Sequence, residues 1–110
     1  FLAYCLEEIT GDHYIHGNLI ALNMLATLKL QRDYAVYDYN RLKKFFDEAG
    51  LGYRPAEQGI RKEDMLRALT EVPAFVDREG FPACLWRLPS VFDPRGDHSA
   101  EEVVDWLYSL

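Results

Sequence analysis

His16-Gly17-Asn18-Leu19-Ile20-Ala21-Leu22-Asn23-Met24-Leu25-Ala26-Thr27-Leu28-Lys29-Leu30-Gln31-Arg32 is the stretch whose reading decides the fold. Its large apolar residues at 19, 20, 22, 24, 25, 28 and 30 fall around nearly the whole circumference of a helix. A helix that is apolar all round is a buried, central one. Ala21, Ala26 and Thr27 let neighbours come close. The run is too short, and too polar at its C-terminal end, for a membrane span of about 20 apolar residues. The predicted second helix therefore covers Asn18–Arg32, and it needs partners on several sides.

The flanking sequence supplies them. Upstream, a helix is expected over Leu2–Ile9, ended at Thr10-Gly11, where glycine accepts the left-handed stop conformation. Downstream, Leu42, Phe45, Phe46 and Ala49 recur at helical spacing and give one apolar stripe over Asp38–Ala49. Lys43, Lys44, Asp47 and Glu48 take its wet side, and Gly50 stops it. Leu51–Gly59, with Pro55, reads as a loop. A fourth helix is expected over Lys62–Val72, with Glu63 and Asp64 at its positive N-terminal end and Met65, Leu66, Leu69 and Val72 as its stripe. Pro73 lacks a backbone donor and is expected to break or kink it, with a short turn over Ala74–Arg78 following. Gly80, Pro82, Pro89, Pro94 and Gly96 mark a long irregular connection, in which Leu85-Trp86-Arg87-Leu88 could pair briefly as a strand. Ser99-Ala100-Glu101-Glu102 fits a capping box, and Val103, Trp106, Leu107 and Leu110 give the last helix its stripe. No internal repeat occurs. The expectation is an all-α fold: one compact bundle of about five helices over residues 1–110.

Phe1-Leu2-Ala3-Tyr4-Cys5-Leu6 already reads as the middle of a helix with no capping residue before it. The expectation is a piece of a larger, two-domain protein. Twelve basic and 18 acidic side chains give a formal net charge of −6. The basic residues are scattered among acids as on solvated helix faces, which argues against nucleic acid as a partner. No signal peptide and no membrane-spanning run appears, so the cytoplasm is the expected location. Cys5 and Cys84 form no CxxC and read as single buried thiols in a reduced compartment.

The segment that points to chemistry is Gly11-Asp12-His13-Tyr14-Ile15-His16-Gly17. Neutral imidazole is the commonest metal ligand, and His13 and His16 lie three apart, on one helix face or in a tight loop. Asp12 could be a ligand or could orient one. Equally, both histidines could simply sit at a helix start, hydrogen-bonded or wet. Either way the site is incomplete, because a catalytic zinc takes three protein ligands and leaves one position open. His98 sits in a polar loop and is read as solvent-facing. GxSxG, GxGxxG and GxxxxGK[ST] are all absent. Tyr34, Tyr37, Tyr39, Phe45 and Phe46 read as core and rim rather than as a ligand box.

His13-Tyr14-Ile15-His16-Gly17-Asn18-Leu19-Ile20-Ala21-Leu22 resembles a segment of the iron-containing alcohol dehydrogenase superfamily, which includes glycerol dehydrogenase, glycerol-1-phosphate dehydrogenase and dehydroquinate synthase. Phe45-Phe46-Asp47-Glu48-Ala49-Gly50-Leu51-Gly52 and Ile60-Arg61-Lys62-Glu63-Asp64 are similar to the parts that follow in that family's C-terminal helical domain. The resemblance implies that His16 is a metal ligand; His13 is the second candidate, as a catalytic group on the substrate side or as a group that supports the ligand. It implies a divalent metal, zinc first with iron or nickel also suited, and NAD or NADP bound by an N-terminal domain. The substrate implied is a small polyol or its phosphate, and the assembly a homo-oligomer. The metal would lower the pKa of the substrate hydroxyl and the nicotinamide would accept hydride. Where the family has Glu after His-Gly, this chain has Asn18. The family's other ligands, an Asp of the N-terminal domain and an upstream His expected near or before Phe1, are not in the sequence, so the piece alone is expected to be inactive. A lyase of the dehydroquinate synthase kind uses the same site geometry and stands as an alternative.

A helical interaction module, whose exposed Tyr and Phe bind a partner, is the reading from a different class. A helix-turn-helix DNA binder ranks third, disfavoured by charge. If a partner domain belongs against helix two or the histidine loop, an apolar face there should be bare, and such a face favours self-association.

Overall fold

The computed structural model describes residues 1–31, 35, 37–81, 84–87 and 99–110. Tyr34, His98 and the connection through Pro82, Pro89, Pro94 and Gly96 lie outside the described residues. The chain is all-α. The described residues form five helices, α1 (Leu2–Thr10), α2 (His16–Gln31), α3 (Tyr39–Glu48), α4 (Lys62–Arg78) and α5 (Ala100–Tyr108), with short 3-10 turns at Ala56–Gln58 and Leu85–Arg87. None of the described helices is long and apolar enough to cross a membrane.

α1 buries Leu2, Ala3, Cys5 and Leu6, and it ends at Gly11, whose φ of 71° is the left-handed stop. Its chief partner is α4, which buries Met65, Ala68, Leu69, Val72 and Val76. Arg78 reaches back over the outside of this pair to both carboxylate oxygens of Glu8, at 2.7 and 2.8 Å. α5 closes the core with Val103, Val104 and Leu107. It begins as the sequence indicates: Ser99 Oγ accepts from the Glu102 amide at 3.2 Å.

α2 is central, as its composition requires. Leu19, Leu22, Ala26 and Leu30 belong to the α1–α4–α5 core. Ala21 and Leu25 turn to a second, smaller cluster with Phe46 of α3 and Tyr53 of the following loop. One strip stays bare, however, because Met24 is 42% exposed.

Three local expectations are corrected. α4 runs unbroken through Pro73 to Arg78. The missing amide costs one bond, to the Leu69 carbonyl, and a proline in a helix interior costs about 3 kcal/mol. Val72 and Val76, both fully buried, lie on the stripe that packs only if the helix continues, and each contributes about 1.5–3 kcal/mol. Burial outweighs the lost bond. Second, Phe45 is 62% exposed whereas Phe46 is buried, because α3 is covered on one side only. Third, Leu85–Arg87 forms a 3-10 turn and not a strand; its Trp86 is buried in the main core.

Candidate functional site

The two histidines lie where α1 gives way to α2. The connecting segment is built around one hydroxyl. Thr10 Oγ1 donates to the Leu6 carbonyl at 3.0 Å, and it accepts from the Asp12 amide at 3.2 Å and from the Tyr14 hydroxyl at 3.1 Å. A short polar loop is thereby fixed by a side chain that needs no solvent to satisfy it. Tyr14 is half-buried against the main core, so the loop turns its other residues outward.

His16 is the first residue of α2 and is exposed. Its ring stands 6.4 Å from that of Tyr4, itself 57% exposed. His13 is 94% exposed, and its Nδ1 lies 3.8 Å from Glu7 Oε2, beyond hydrogen-bonding distance. Asp12 is exposed as well. Ile15, between the histidines, is 73% exposed. The structure thus places His13, Asp12 and His16 on one outward-facing segment.

Asn18 ties that segment to the rest of the chain. Its Oδ1 accepts from the Gly52 amide at 3.2 Å, and its carbonyl accepts from Gln58 Nε2 at 3.5 Å. A Cβ at residue 52 would stand 3.2 Å from Asn18 Nδ2, so glycine there is what lets the loop come this close. The position where the resembled family has Glu is here a structural tether. Thr10, Tyr14 and Gly52 have no signal in the sequence that marks them as anchors, since Thr10 is an ordinary helix-end residue and the other two ordinary loop residues until their partners are known.

Imidazole nitrogen suits a zinc-like metal. The set is nevertheless too small: among the described residues no three His, Cys, Asp or Glu side chains come together in a way that could hold a metal ion. The cysteines add nothing to it. Cys5 is buried, its Sγ placed 3.8 Å from the Ala68 carbonyl, and burial, helped by nearby Glu71 and Glu8, pushes its thiol up to about 11. A thiol so protonated is a poor nucleophile. Cys84 is half-buried and free.

A second surface feature lies between α2 and α3. A groove of about 410 Å3 is lined by residues that include Met24, Thr27, Leu28 and Leu42. Beside it Tyr37 is 72% and Phe45 62% exposed. Comparison with protein-family models, with curated proteins and with solved structures gave no match.

Proposed function

We propose that this chain is the metal-ligand-bearing helical domain of a metal-dependent, NAD(P)-linked dehydrogenase acting on a small polyol or its phosphate. The observation that carries the reading is His16, which opens the buried central helix with its imidazole exposed beside His13 and Tyr4. A ligand that must meet a metal held partly by another domain has to be presented in this way, outward and from a rigid element. In this reading His16 binds the metal, His13 stands on the substrate side, and the remaining ligands and the nicotinamide site come from a second domain. Bound there, the metal would act as a Lewis acid on the substrate hydroxyl.

The test is the metal content of the two-domain protein and of its His16→Ala variant, measured by elemental mass spectrometry. Near one zinc, iron or nickel per chain, lost in the variant, is the expected result. Equal metal in both, or none in either after metal is offered, sinks the assignment.

A second reading rests on a separate observation, the exposed apolar side chains along the α2–α3 groove. Large exposed apolar side chains grouped in this way mark a binding face, and the chain in this reading is a helical interaction module. An environment-sensitive apolar dye should bind the wild type and bind Met24→Lys several-fold more weakly. Equal binding by the two excludes the groove as the apolar receptor.

A further inference from the structure

We infer that the α2–α3 face pairs with the same face of a second copy of this chain, about a two-fold axis. The inference gives the interaction reading an occupant, rests on that reading, and is independent of the metal assignment.

The surface is continuous. The groove along α2 adjoins another of about 520 Å3, and Tyr37 and Leu42 line both. Its relief is of two kinds placed side by side. Phe45 and Tyr37 stand out as rings, and the floor beside Met24 and Leu28 is recessed. A two-fold interface uses one patch on both partners, so a patch carrying both a protrusion and a recess can fill itself. Its makeup, aromatic residues with Met and one Arg, is that of interface centres.

Charge selects a second copy. Two chains of net charge −6 repel, so they meet only where the local charge is balanced. Among the described residues that line it, this rim carries one acid and one base, Asp38 and Arg41, both exposed. Arg41 forms no ion pair with any described residue. Asp38 uses Oδ1 to accept from the Asn40 amide at 2.9 Å, which leaves its other oxygen to a partner. Across a two-fold axis each Arg41 meets Asp38 of the second copy, and the pairing occurs twice.

Sedimentation equilibrium of the chain, from low micromolar to millimolar concentration, is the test. Wild type should show a monomer–dimer equilibrium. Phe45→Ser and Met24→Lys change exposed residues and should keep the helical circular dichroism while weakening the dimer by about tenfold or more. Arg41→Asp and Asp38→Lys should each weaken self-association, and an equal mixture of those two variants should recover a dimer, since every contact is again between opposite charges. A chain that stays monomeric to millimolar concentration overturns the pairing. So does a dimer that Phe45→Ser and Met24→Lys leave intact, or a mixture that recovers nothing. Dye binding lost in Met24→Lys alongside a strictly monomeric wild type would overturn the second copy while the groove reading stood.

Discussion

On one side of α2, the α1–α4–α5 core seats eighteen of the described residues in buried positions, almost all aliphatic. On the other side, the α3 corner seats four of the described residues: Ala21, Leu25, Phe46 and Tyr53. The corner is held mainly by polar side chains. Tyr53 donates to Asp47 Oδ1 at 2.8 Å, Lys43 to Asp47 Oδ2 at 3.1 Å, and Arg54 Nε to the Leu110 carbonyl at 2.9 Å. Arg54 also lies over the Tyr53 ring at 4.8 Å. The difference teaches that a helix covered on one side gains its place from a few directional bonds, whereas a helix covered on two gains it from area. The corner is then the half that should loosen first, and it carries the face inferred to meet a second copy.

The comparison can be broken most forcefully from the core side. Leu69→Ala empties a fully buried position and should cost about 2–5 kcal/mol, measured by urea unfolding. A loss below about 1 kcal/mol, nearer the size of a surface change, would mean that the core is not the dominant cluster. Pro73→Ala sharpens the same side in the opposite direction. It restores the amide that α4 lacks and should raise stability by about 1–3 kcal/mol; a fall would show that the helix depends on the proline ring. In the corner, Tyr53→Phe removes one bond and keeps the ring, and should cost about 1 kcal/mol, with α3 amides exchanging faster than those of α4.

Titration separates the halves further. Tyr108 donates to the Ile60 carbonyl at 2.6 Å, and burial, with Glu63 and Asp64 nearby, pushes its hydroxyl up from 10.0 to about 12. The folded state keeps that proton where the unfolded state has lost it. Its contribution is therefore complete below pH 10.0 and is lost as pH climbs towards about 12. Cys5, raised from 9.0 to about 11, adds to the same alkaline loss. Asp47 acts at the other end. Hydrogen bonds from Tyr53 and then Lys43 hold its carboxyl below the usual 3.8. Its contribution is present above that value and fades as pH falls through the depressed one. Asp47→Asn should flatten the acid limb of a stability–pH curve and leave the alkaline limb where it was; an unchanged acid limb would take Asp47 out of the account.

The elements that signal themselves locally were legible. The Ser99 cap, the Gly11 stop and the all-round apolar α2 are each written within one or two turns of chain, and the histidine segment was located by composition. What was not legible depends on partners. Phe45 and Phe46 fit the same stripe, and only the one-sided cover of α3 decides that Phe46 goes in. Pro73 reads as a stop until Val76 is seen buried beyond it. The anchor of the histidine segment joins Asn18 to Gly52 across 34 residues, and no window-length pattern contains that information.

The pairing of α1 with α4 sets a delay during synthesis. Cys5 and its carbonyl partner Ala68 are 63 residues apart. At about 5–20 residues per second, a ribosome needs roughly 3–13 seconds to make that interval. Once α1 has cleared the exit tunnel, Leu2, Ala3, Cys5 and Leu6 are unsheltered for the rest of that interval, since their main cover has not yet been made. α1 is thus an apolar segment of the nascent chain that waits for α4, and there a holding chaperone would have something to protect.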